Sequence, residues 1–155
     1  MSSILEWVNF ISPVDNSREV SLDTSMHKHQ KTIIQTEQAP AAIGPYAQAT
    51  SFGHLTFTSG QLGINPETGI LPATIEEQTV QALTNLRAVL EAAGTTMDKV
   101  MKTTVFLKNM DDFAAMNAIY RTFFTEGSFP ARSAVEVARL PKDALVEVEA
   151  IAVNM

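Results

Sequence analysis

The stretch Pro130-Ala-Arg-Ser-Ala-Val-Glu-Val-Ala-Arg-Leu-Pro-Lys-Asp143, with Leu145 to Val153 behind it, leaves this chain the fewest choices. Proline forbids helix at its start, the side chains then alternate with the two-residue period of a strand, and Pro141-Lys142-Asp143 turns the chain back into a second alternating run. The two strands, expected as neighbours in the sheet interior, carry a guanidinium and several carboxylates. An unpaired charge buried there is costly, so Arg132 needs a partner or a task. By alternation Arg132, Ala134, Glu136 and Ala138 share one face, and Glu147, Glu149, Ile151 and Val153 share a face opposite Val146, Val148, Ala150 and Ala152. Two readings stay open on this pattern. Arg132 pairs with Glu136, Glu147 or Glu149, or it is held for a ligand.

The rest of the chain supplies a sheet and two helices. Lys31 to Gln35, Ala47 to Phe52 and Leu55 to Gln61 read as strands, the last two as a hairpin about Gly53-His54, and Asn65-Pro-Glu-Thr-Gly69 as a turn. Between them Ala39 to Tyr46, with two prolines and a glycine, follows an irregular extended path. Thr74 with Glu77 makes a capping box for a helix carrying Ile75, Thr79, Ala82, Leu83, Leu86, Val89, Leu90 and Ala93 at helical spacing, stopped by Gly94. Val100 to Leu107 reads as a central strand buried on both faces. A second helix is expected from about Asp111 to Phe124, with Phe113, Met116, Ile119, Tyr120, Phe123 and Phe124 as its apolar stripe. Asn117 falls on that stripe. The predicted order is β-β-β-α-β-α-β-β, an α+β domain with both helices on one face of a mixed sheet. The other face is left for solvent or another subunit, and its apolar residues favour the subunit.

Length allows one domain, with residues 31–155 as the folded unit. Residues 1–30 differ: Met1 to Ser25 holds four acids against one base, and the segment is expected to be an accessory or expression-derived extension. Its acidity argues against a transit peptide, and the lack of a basic region before an apolar one argues against a secretory signal. Ser3 and Glu6 could cap a short helix over Leu5 to Ile11, and His27 with His29 has no further metal ligand nearby. The chain has no cysteine, which excludes disulfides and thiolate chemistry and fits a reducing cytoplasm. No apolar run approaches the roughly 18 residues of a membrane span. A net charge of -6 with scattered lysines and arginines disfavours polyanions. A small anion needs only one local arginine. Gly-rich phosphate loops, G-x-S-x-G and H-E-x-x-H are all missing, and His54 sits in a hairpin turn ill suited to a triad.

The segments Ala39-Pro-Ala-Ala-Ile-Gly-Pro-Tyr-Ala-Gln48, Thr58-Ser-Gly-Gln61, Lys102-Thr-Thr-Val-Phe-Leu107, Phe129 to Asp143 and Val146-Glu-Val-Glu-Ala-Ile-Ala152 together resemble the RidA/YjgF family of enamine/imine deaminases. The resemblance implies a chorismate-mutase-like homotrimer with sites in the clefts between subunits. It also implies hydrolysis of 2-aminoacrylate, 2-iminobutanoate and related imines to 2-keto acids and ammonia, with no metal or organic cofactor. On the motif match Arg132 clamps the substrate carboxylate, Glu147 handles the water, and Tyr46, Ser59, Gly60 and Asn117 line the pocket. Ala134 stands where the family often has cysteine, which bears on pocket size and removes any thiol-based regulation. Two other functional classes go with the resemblance: a ribonuclease or translation inhibitor, disfavoured by the acidic charge, and a carboxylate-binding trimer without turnover.

Overall fold

In the computed structural model, which describes residues 29–155, seven strands form one mixed sheet with two helices packed on one side. In chain order the elements are β1 (Thr32–Ile34), β2 (Ala49–Phe52), β3 (Leu55–Thr58), β4 (Gln61–Leu62), α1 (Ile75–Ala92), β5 (Val100–Leu107), α2 (Phe113–Thr122), β6 (Ala131–Glu136) and β7 (Val146–Val153). The sheet order is β1-β2-β3-β7-β5-β6, with β4 also on β7. The α+β class and the two helices on one face are as expected. The capping box and short helix at the N-terminus, and His27, lie outside the described residues. His29 is exposed, its ring 6.2 Å from that of Phe52.

Three expectations about the strands are corrected. First, β6 and β7 are not neighbours. β5 lies between them, parallel to β6 and antiparallel to β7. The segment from 137 to 145 therefore arches over the end of β5, tied on one side by Val137 N–H to Leu107 O and on the other by Lys108 N–H to Leu145 O. Alternation reports strands but not their order, and the turn signal at Pro141-Lys142-Asp143 belongs to this arch, where Lys142 and Asp143 both adopt positive φ.

Second, the run Leu55 to Gln61 is two strands, not one. Phe57 pairs with Ile151, and an unbroken register would bring Gly60 to Val148, yet Gln61 stands there. One extra residue is absorbed around Ser59-Gly60, which makes this a β-bulge. Ser59 leaves the β7 ladder to donate its N–H to Gln48 O, and the Ala150 N–H is satisfied by the Thr58 hydroxyl. Third, β5 is buried on one face. Thr103, Val105 and Leu107 are covered by the helices, while Lys102 is exposed and Thr104 and Phe106 are half-buried on the other side.

The core follows from the apolar stripes. Leu83, Leu86 and Leu90 of α1 and Met116 and Tyr120 of α2 pack on Val105, Leu107, Val146, Val148, Ala150 and Ala152 of the sheet. Thr74 accepts the Glu77 N–H as N-cap of α1, and its hydroxyl donates to the Glu77 carboxylate. The second helix is shorter than expected: Asn109 caps a single tight turn over Met110–Asp112, and α2 begins only at Phe113. The open side of the sheet exposes Ile33, Phe52, Leu55, Phe57 and Val135, a large apolar surface that no helix among the described residues covers.

Buried amides on α1, absent from the sequence expectations, fasten the loops that border the site. Asn85 is fully buried and donates to Leu62 O and Ile64 O; Gln78 donates to Pro72 O and accepts the Leu145 N–H. Gly63 lets this segment lie against the helix, because a Cβ there would come within 2.7 Å of Gln78 Cα. Gly63→Ala should destabilise the protein by about 1–3 kcal/mol through overpacking. The measurement is the urea midpoint, which falls at unchanged slope if the contact is rigid. A wild-type midpoint would show that the loop can back away from α1.

Candidate active site

Strand alternation separates the two charged groups of interest. Arg132 pairs with Thr103, whose side chain is buried on the helix side, whereas Glu147 pairs with Phe106 on the open side. They occupy opposite faces of one sheet, and no ion pair joins Arg132 to Glu136, Glu147 or Glu149 among the described residues. The residues expected to line a pocket divide the same way. Tyr46, Ser59 and Gly60 gather about Glu147, while Asn117 and Ala134 lie beside Arg132.

The Glu147 side is a cleft of ≈ 730 Å³ walled by Tyr46, Gln48, Ser59, Gly60, Pro141 and Lys142 among others. Its rim is built by Gln48, whose buried amide accepts the Thr36 N–H and donates to Thr36 O, Ala39 O and Pro40 O. This one side chain holds the proline-rich segment in its irregular path. Ser59 donates its hydroxyl to Ala47 O, so it braces the wall rather than pointing a free hydroxyl inward. Gly60 is required by contact: a Cβ there would collide with Glu147 Oε1 and lie 2.7 Å from its Cδ. The bulge therefore makes the space in which the carboxylate rests. No protein donor reaches that carboxylate among the described residues. Burial, and secondarily the charge of Glu149, push the Glu147 carboxyl above the ordinary carboxylate range.

The Arg132 side is built by α2 against the edge strand β6. Phe113, Asn117 and Tyr120 recur at helical spacing and meet the guanidinium together. Nη1 donates to Asn117 Oδ1 at 2.7 Å, and the Tyr120 and Phe113 rings lie 4.6 and 5.4 Å from Cζ. The two rings were expected only as core. Their spacing about Asn117 was visible in the sequence, but not that an arginine from β6 would lie among them. Nε and Nη2 have no partner among the described residues. Ala134 registers with Val105 and packs half-buried against the core, two residues along β6 from Arg132 and on the same face.

A family model described as Endoribonuclease L-PSP matches residues 36–154. The chain belongs to this RidA/YjgF family. One relative is the Escherichia coli (strain K12) 2-iminobutanoate/2-iminopropanoate deaminase, 56% identical over 123 residues that cover 78% of this chain and 96% of that protein. A RutC family protein of Haemophilus influenzae is 58% identical over 125 residues, covering 79% and 96%. Among solved structures, the YjgF gene product of E. coli superposes with a TM-score of 0.77 at 54% identity, covering 80% of this chain and 99% of that one. E. coli TdcF with bound serine gives 0.76 at 44% identity, covering 80% and 99%. The match of this RidA/YjgF member begins after its first 35 residues and takes in both halves of the candidate site.

The raised Glu147 pKa has a consequence for stability. The native state holds this proton to higher pH than the unfolded chain, so between the two pKa values stability falls as pH rises. The cost is absent below the unfolded value, about 4.3, and complete above the raised one. Glu147→Gln should therefore raise Tm at pH 7, and the gain should shrink towards zero near about pH 3.5. Differential scanning calorimetry at the two pH values checks this, and a lower Tm for the variant at pH 7 would contradict it.

Proposed function

We infer that the protein hydrolyses reactive 2-enamino and 2-imino acids, such as 2-aminoacrylate and 2-iminobutanoate, to 2-keto acids and ammonia. The observation that carries this reading is an arginine held in place with no acid partner among the described residues. Asn117 and two rings hold Arg132, and two of its nitrogens are left to meet a carboxylate. The naming of 56% identical relatives as 2-iminobutanoate/2-iminopropanoate deaminases supports the same chemistry.

One chain cannot bring Arg132 and Glu147 to one small molecule, because they lie on opposite faces of the sheet. The reading therefore requires a second copy, and a homotrimer with sites between subunits supplies it, burying the apolar open face at the same time. In such a cleft the enamine tautomerises to the imine and Arg132 grips its carboxylate. Glu147 takes a proton from a water that adds to the C=N carbon and returns it to nitrogen. Glu147 then passes the proton of the new hydroxyl to the amine as the C–N bond breaks, releasing ammonia and leaving the keto group. A carboxyl with a raised pKa is suited to that exchange. Water is the sole co-reactant in this reading, which assigns no resident metal or organic cofactor. Residues 31–155 as the working unit and a cytoplasmic location complete the reading. RNA cleavage, the activity in the family model's name, finds no support in a chain of net charge -6.

The test couples the purified protein to a serine or threonine dehydratase and follows keto-acid and ammonia release. The wild type should accelerate release, and Arg132→Ala and Glu147→Gln should each lower the rate by about 10²-fold or more. Equal rates with and without wild-type protein would sink the deaminase reading. Trimers reassembled from equal amounts of the two variants should regain about one quarter of the wild-type sites, because a complete site then takes Arg132 from one chain and Glu147 from another. No recovery on mixing would mean that the site lies within one chain.

A further inference from the structure

The fork of Arg132 is useful only if its plane is fixed, and the group that fixes it lies one layer behind. Tyr120 is buried with 4% of its surface exposed, and its ring covers one face of the guanidinium at 4.6 Å. The far end of that ring is pinned: its hydroxyl lies 2.7 Å from Thr103 Oγ1, and Thr103 is fully buried. Thr103 is also the residue directly beside Arg132 in the β5–β6 register. Behind the ring, Phe124 packs at a centroid distance of 4.7 Å. Packing alone does not explain the two hydroxyls, since phenylalanine on valine would fill the same space without burying them. Two buried hydroxyls carry a desolvation cost that this single bond must offset.

We propose that Tyr120, anchored by Thr103, is the positioning residue that sets the plane of the Arg132 guanidinium and so directs its Nε–Nη2 edge at the substrate carboxylate. Asn117 holds Nη1, the Phe113 ring lies 5.4 Å from Cζ, and the Tyr120–Thr103 bond decides the tilt at which the fork is presented. Tyr120 touches no reacting atom in this arrangement; it acts through Arg132. The proposal rests on the reading that Arg132 receives a carboxylate.

The experiment compares wild type, Tyr120→Phe, Thr103→Val and the double variant as full-length, assembled protein. Calorimetric titration with 2-oxobutanoate reads carboxylate binding directly, steady-state hydrolysis of 2-iminobutanoate reads KM and kcat, and thermal unfolding serves as control. Each single variant should weaken 2-oxobutanoate binding and raise KM about five-fold, the worth of one hydrogen bond, with kcat within about two-fold. The double variant should be no worse than either single, because the two hydroxyls act as one unit. Unchanged binding with only a lower Tm would assign the pair to core packing and overturn the proposal, as would additive losses in the double variant. If wild type binds 2-oxobutanoate but turns over no imine, the deaminase reading fails while the binding comparison still decides the role of Tyr120. Failure of wild type to bind the keto acid at all overturns both.

Discussion

A side chain on a β-strand points to one face of the sheet or the other, and the site depends on that parity. Arg132 and Glu147 fall on opposite sides, the first under α2 and the second on the uncovered surface. Neither can neutralise the other, so each keeps free the bonding capacity that a ligand or a water can use. Had one residue been inserted into β6 or β7, the two charges would share a face, on either side of β5. On the proposed reading, the same parity leaves a single chain with two separate halves of a site.

The two halves are held by different physical means. Arg132 keeps its charge cheaply: a guanidinium is weakly hydrated, stacks on aromatic faces and gives up one donor to Asn117. Glu147 has no such compensation. Its carboxylate sits against Gly60 with no protein donor among the described residues, and the cost of burying it appears as a raised pKa. The roles proposed for the two groups, gripping an anion and exchanging a proton, are opposite requirements, and their environments differ in the same sense.

Around these groups the fold supplies rigidity through amides. Gln48, Gln78 and Asn85 each tie a loop by several backbone bonds, so the cleft wall is fixed by interior residues and not by the loops' own sequence. Gly63 and Gly60 serve close approach: one admits the loop to α1, and the other admits a carboxylate to the bulge.

The sequence by itself determined the local elements and the faces of the helices, because periods of two and near four are written directly into hydrophobic spacing. The stripes of α1 and α2, the cap at Thr74 and the turn residues at Gly53 and Gly69 were all legible in it. Motifs spread along the chain also singled out Arg132, Glu147, Tyr46, Ser59, Gly60 and Asn117 as a set, which the fold divides between the two faces of the sheet. Strand order was not legible, since alternation in β6 and β7 is blind to the β5 strand that comes between them. Nor was the bulge at Ser59-Gly60, whose extra residue shows only as a shift against β7. Only the tertiary structure decided which face each charge took, for that depends on register between strands far apart in the chain, a property of pairing that no single segment carries.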